Sequence, residues 1–192
     1  GYLDTVAVND VSNFERQMLD SLRANARDIL DGIKKDQKID GVEGRMKEFL
    51  ANFVANYADG LHHGKEEKFL FQHMLEELGQ MGKNLITHGM LVEHDLGRLY
   101  MSELKAALAR VREGDEESRL DVIANAVGYA NLLSRHIEKE NSVVFPFAQR
   151  SLKPEVLAEV DQRSQEFEKE QEEKGVQKHY LTMLGELERK YQ

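Results

Sequence analysis

The sequence predicts an all-α protein: an up-and-down antiparallel four-helix bundle with an additional C-terminal helix or helices. Three observations carry this expectation. Apolar residues recur at helical spacing over stretches far longer than the roughly 11–12 residues of an average helix. Polar, glycine-bearing segments separate four such stretches. A histidine followed four residues later by a glutamate occurs twice, at His62/Glu66 and His136/Glu140, as if each half of a bundle supplied one unit.

At 192 residues the chain accommodates one bundle and an added element. The expected division is a bundle over residues 1–150 and a helical extension over 151–192, packed on the bundle or contacting a partner. Apolar residues make up 41% and charged residues 32%, with two prolines and no tryptophan, which suits a helix-rich protein. A net charge of −9 argues against nucleic acid or an anionic membrane as partner, because both need basic patches. The absence of cysteine excludes disulfides, thiolate nucleophiles and iron–sulfur ligation. No apolar run reaches 18 residues, so a cytoplasmic location is expected.

The first helix is expected from Asp10 or Ser12, either of which can cap it, to about Asp31. Val8, Val11, Leu19, Leu22, Ala26 and Ile29 form its apolar stripe. Glu15 falls near the centre of that stripe, where a carboxylate needs a partner or a metal. The second helix is expected over 42–78, with Met46, Leu50, Phe53, Tyr57 and Leu61 on one face. A straight count places His62 and Glu66 roughly 120–160° from Leu50, at 100° per residue. Gly60 and Gly64 allow a bend or a change of phase there. The segment from Gly79 to Gly82 reads as the following turn.

The third helix is expected over 83–112. Ile86, Met90, His94, Gly97, Met101, Leu104 and Leu108 share one face, with His94 at its middle. Gly114 ends it and Asp115 caps the fourth helix, expected over 116–148. There Val122, Tyr129, Leu132, Leu133, His136, Glu140 and Val143 lie in one broad stripe. Pro146 bends or ends this helix. The charged run EFEKEQEEKG beyond Pro154 reads as the solvated face of an appended helix.

Positions i and i+4 of a helix lie one turn apart on the same face. Each His-x3-Glu unit can therefore offer an imidazole and a carboxylate to one ion. The two stretches, HHGKEEKFLFQH and HIEKENSVVFPF, share the frame His-x-x-Lys-Glu-(Asn/Glu)-x-x-(Val/Leu)-Phe at an offset of 74. Imidazole with carboxylate suits iron, manganese or zinc. Two glutamates from opposite halves can bridge two metals, with His94 and His136 on one ion and His62 with a first-helix group on the other. His63 and Glu67 read as outer or exposed neighbours, and His73, His88 and His179 as ordinary histidines. The Glu-x-x-His pairs of ferritin-like bundles and the His-Glu-x-x-His of zinc proteases are absent.

Together HHGKEE, VEHDLGR, HIEKEN and the FPFA that follows resemble the hemerythrin-like (HHE cation-binding) domain family, over roughly residues 8–150. The resemblance implies a four-helix bundle with a non-haem di-iron centre, two Fe ions bridged by carboxylates and by oxo or hydroxo, with Mn or Zn as alternatives. Its implied ligands are His62, Glu66, His94, His136, Glu140 and Glu15. Its implied function is binding or sensing dioxygen or a related small oxidant such as NO or peroxide. The rivals are a di-iron peroxidase or oxidase and a metal-stabilised interaction module, and a binder is favoured over an enzyme. Homo-oligomerisation stays open. Glu15 stands where the family has a first-helix histidine, and Met90 and Arg98 flank His94 where oxygen carriers have a second one. Carboxylate in place of imidazole favours the higher iron oxidation state, and so a sensing or reactive role over reversible carriage.

Overall fold

The computed structural model describes residues 59–175 together with 178, 179 and 182. The expected first helix with Glu15, residues 42–58 of the second, and most of the HYLTMLGEL segment lie outside the described residues. Among the described residues the chain is all-helical and contains no strand. No helix there is long and apolar enough to cross a membrane.

Among the described residues four helical rods follow one another. Residues 59–65 are helical and lead through a π turn, Glu66–Leu70, into α1, Phe71–Glu77. Helix α2, Gly79–Leu85, continues through a π turn, Ile86–Met90, into α3, Leu91–Arg112. Helix α4, Ser118–Lys139, continues through a third π turn, Glu140–Val144, into α5, Phe145–Ser151. Helix α6 spans Pro154–Glu173. The backbone N–H groups of Phe71, Leu91 and Phe145 reach back five residues, to the carbonyls of Glu66, Ile86 and Glu140. Each such turn holds an extra residue and shifts the helical phase.

That shift explains where the sequence expectation departs. Val143 was expected inside, but it is 47% exposed, and Val144 is fully buried. The π turn that starts at Glu140 moves the inward position along by one residue. The same device resolves the tension in the second rod, which is π-helical over 59–63 and again from Glu66. The repeat also extends beyond the motif. The π turns at Glu66 and Glu140 and the helices α1 and α5 that follow keep the offset of His62 and His136. Leu70 and Met74 thereby correspond to Val144 and Ala148, all four buried.

The third stripe holds as read: Ile86, Met90, His94, Gly97, Met101, Leu104 and Leu108 are all buried. Helices α3 and α4 pack side by side across a short turn. Asp115 accepts hydrogen bonds there from the Glu117 N–H (3.2 Å) and the Ser118 hydroxyl (2.8 Å). Pro146 neither ends nor breaks its rod. It stands in the first turn of α5, where a missing N–H costs little. Leu152 and Lys153 then adopt extended backbone, as a residue before proline prefers.

The segment from Gly79 to Gly82, expected as a turn, already belongs to α2. Only the step from Leu78 to Gly79 reverses the chain, with Gly79 at φ 58°. This one-residue reversal presses Gly82 against the end of α1. A Cβ on Gly82 would strike the Met74 carbonyl oxygen and stand 2.8 Å from the Leu78 Cβ. Gly82→Ala is expected to lower stability by about 1–3 kcal/mol, the usual cost of overpacking. Denaturant unfolding measures it, and an unchanged midpoint would show that the reversal yields.

All four rods supply one core: Phe69, Leu70, Phe71 and Met74; Ile86 and Met90; Val144 and Ala148; Val160. Helix α6 closes it with Leu157, Val160 and Phe167. Phe167 meets Phe69 edge-on at 6.0 Å, and Arg163 lies 4.6 Å over the other ring. Lys65 forms an ion pair with Glu168. The charged run therefore has an inner stripe as well as a solvated face.

Candidate metal centre

The buried polar groups gather beside this core. His63, Glu66, His94, His136 and Glu140 are all buried, and His62 is nearly so. The His94 and His136 Nε2 atoms stand 3.1 Å apart. His136 Nε2 lies 2.8 Å from Glu140 Oε1, and His94 Nε2 lies 3.7 Å from Glu66 Oε2. His62 Nε2 sits on the other side of both carboxylates, 3.7 Å from Glu66 Oε1 and 3.8 Å from Glu140 Oε2. The structure thus brings together His62, Glu66, His94, His136 and Glu140, and Glu15 lies outside the described residues.

The π turns position these groups. Glu66 and Glu140 each begin one, so their carboxylates turn inward while Leu70 and Val144 enter the core behind them. His94 comes from the first turn of α3, one turn before Gly97, beside which Tyr129 of α4 packs. Phe71 covers His94 from the core side, with ring centroids 5.7 Å apart.

Behind the imidazoles stand carboxylates. Glu67 Oε1 is 2.7 Å from His94 Nδ1, Glu93 Oε2 is 2.9 Å from His136 Nδ1, and Asp59 Oδ1 is 3.3 Å from His63 Nδ1. A carboxylate at Nδ1 draws the proton to that nitrogen and leaves the Nε2 lone pair facing the cluster. Arg98 holds two of these carboxylates at once, donating from Nη2 to Glu67 (2.6 Å) and from Nε to Asp59 (2.8 Å). Lys139 does the same for Glu93. Sequence reading placed none of these outer pairs. The signals were interleaved spacings of four on one helix, Asp59 to His63 and His63 to Glu67.

The electrostatics follow from burial. Burial pushes His94 far below the ordinary histidine range, and the neighbouring His63 and His136 push the same way. Burial brings His63 down to about 4, against the pull of Asp59. Burial also opposes the His136 cation, but Glu140 and Glu93 outweigh it and raise the group to about 9. Burial alone would raise Glu140; His136 and His62 together hold it well below the usual carboxylate range. The cluster thus pairs a Glu140 carboxylate with a His136 cation, beside neutral His63 and His94 imidazoles.

A cation fits this arrangement. His63 Nε2 is buried and makes no hydrogen bond, an expensive state for a polar atom without another partner. The ligand atoms of Glu66, His94, His136 and Glu140 lie within 4.8 Å of one another, and so do those of His63, His94 and His136. One ion can span such a set, and the donors are those that borderline divalent metals take.

Helical rods that converge buried histidines and glutamates on one point, with His63, His94 and His136 each backed by a carboxylate, form a helical domain suited to holding a cation. The chain belongs to the hemerythrin family, "Hemerythrin HHE cation binding domain", whose sequence model matches residues 15–148. No solved structure matches the chain significantly.

Proposed function

We propose that the cluster holds a carboxylate-bridged di-iron centre, and that the protein binds or senses dioxygen or a related small oxidant such as NO or peroxide. One observation carries the dinuclear reading. Glu66 and Glu140 each direct one oxygen toward His62 and the other toward the His94/His136 pair. Two carboxylates that each face two imidazole positions are placed to bridge. His94 and His136 hold one ion, and His62 with Glu15 holds the other. In this reading the domain is an up-and-down four-helix bundle over residues 1–150, with 151–192 as its C-terminal helical extension. Mixed nitrogen and oxygen donors without sulfur favour iron, with Mn or Zn as alternatives. Iron bound here supplies a redox couple and room for a small exogenous ligand.

The chain's own residues do the rest. Glu67 and Glu93 orient His94 and His136 through Nδ1, and Arg98 and Lys139 balance their charge. Phe71 keeps bulk water off His94. The proposed setting is cytoplasmic, with a small-molecule partner.

Metal content per chain, measured on protein purified without added metal, tests the reading. The optical spectrum before and after dithionite and air tests it further. The expected result is a pair of irons per chain with near-ultraviolet bands that bleach and return. Zinc alone, or no metal, would overturn it. Steady consumption of peroxide by the iron-loaded protein would make it an enzyme and not a sensor.

A further inference from the structure

His63 is the buried group that the repeat does not account for. Its counterpart in the second half is Ile137, so it breaks the pseudo-twofold pattern that pairs His62 with His136. A packing residue at this place has no need of nitrogen, as Ile137 illustrates. Yet His63 is only 6% exposed. Its Nδ1 faces Asp59 Oδ1 at 3.3 Å, and Arg98 Nε donates to that same oxygen at 2.8 Å. This is the backing that His94 receives from Glu67, and Arg98 serves both. Its Nε2 is buried and makes no hydrogen bond. The ring stacks on His94, with centroids 3.8 Å apart and planes within 10°, and meets His136 edge-on at 5.5 Å. A ligand nitrogen of His63 lies within 4.8 Å of ligand nitrogens of His94 and His136; with Nδ1 held by Asp59, Nε2 is the nitrogen left to take a metal.

We propose that His63 is a metal ligand, the third imidazole at the position held by His94 and His136. Asp59 and Arg98 are its positioning residues. This inference rests on the proposed metal centre and makes it unequal. One position is rich in nitrogen; the other has His62 and the far oxygens of Glu66 and Glu140. The nitrogen-rich position takes a borderline divalent ion more tightly, and the two positions fill in order.

The test is an anaerobic titration of the metal-free full chain with ferrous iron, read by competition with a chromophoric chelator. X-ray absorption on the loaded chain counts imidazoles. His63→Phe keeps a flat ring stacked on His94, so a merely structural role survives it. The expected result is loss of one imidazole and a tighter site weakened by more than about a hundredfold, beyond the usual effect of an outer partner. Asp59→Asn keeps the ring and is expected to weaken the same site by about 10–100-fold. It carries the test if His63→Phe fails to fold. A wild-type chain that binds no iron would overturn the metal-centre reading and this one with it. A wild-type chain that binds iron, beside a His63→Phe chain with unchanged affinity and imidazole count, would overturn the role of His63 alone.

Discussion

Glu140→Gln is expected to strip the metal and leave the helices in place. Glu140 is buried, and its two oxygens face different imidazoles: Oε1 toward His136 at 2.8 Å and Oε2 toward His62 at 3.8 Å. Glutamine preserves shape but removes the charge and replaces one oxygen with an NH2 donor. Both proposed metal positions then lose a donor at once. Affinity should fall by more than about a hundredfold, since even outer partners of a ligand cost 10–100-fold. The fold should tolerate the change. The buried His136 cation depends on Glu140, so with glutamine there the imidazole gives up its proton and no unpaired charge remains. Metal analysis and far-ultraviolet circular dichroism on one preparation decide the matter. Metal retained at the wild-type level would sink the bridging role, and lost helicity would show that the carboxylate is structural.

Much of this architecture was legible because helical periodicity is a backbone property written in side chains. The stripe of α3 keeps one phase from Met90 to Leu108, and every position read as inward is buried. The two His-x3-Glu units were equally plain, since a spacing of four means one face whatever the fold. The phase slips were not legible. A π turn depends on which carbonyl a backbone N–H chooses, and nothing in the side chains of ENSVV announces that Phe145 will reach Glu140. A constant 100° count therefore put Val143 inside where Val144 belongs. His63 was hidden for the same reason. On a regular helix it lies 100° from His62, and only the π-helical turns around it bring both rings to the same cluster. The carboxylates behind His94 and His136 come from other helices, and pairs so separated leave no periodic trace.

The π turns join stability to chemistry. Two of them begin at a glutamate of the cluster, Glu66 or Glu140, and end just before a buried or half-buried phenylalanine, Phe71 or Phe145. The same extra residue that aims a carboxylate inward also resets the phase that drives Leu70 or Val144 into the core. Such turns are known mostly from functional sites, and their hydrogen bonding is poorer than that of an α-helix. Here the cost is offset locally, because the last residue of each turn, Leu70, Met90 or Val144, is buried. The site and the core are therefore one construction, and a core mutation should reach the site.

Phe71→Ala is the sharpest case. Its ring is 1% exposed, belongs to the shared core, and lies 5.7 Å from the His94 ring at 29°. Truncating a buried phenylalanine to alanine costs about 3–5 kcal/mol, because the transfer free energy of the ring is lost and a cavity remains. A domain of this size has of the order of 5–15 kcal/mol in total, so the metal-free variant should unfold far earlier in denaturant. The counterpart Phe145 is only half-buried, and Phe145→Ala should cost less than half as much despite the sequence repeat. Metal adds a further reading. A ligand bound only by the folded state stabilises it by RT ln(1 + [L]/Kd), so loading should restore part of the loss. If the Phe71 ring also holds His94 in place, that restoration will be smaller in Phe71→Ala than in Gly82→Ala, whose clash lies at the end of α1 away from the histidines. Equal restoration in the two variants would mean that Phe71 supports the fold without shaping the metal centre. A Phe71→Ala cost below about 1 kcal/mol would mean that the core beside His94 collapses around the gap.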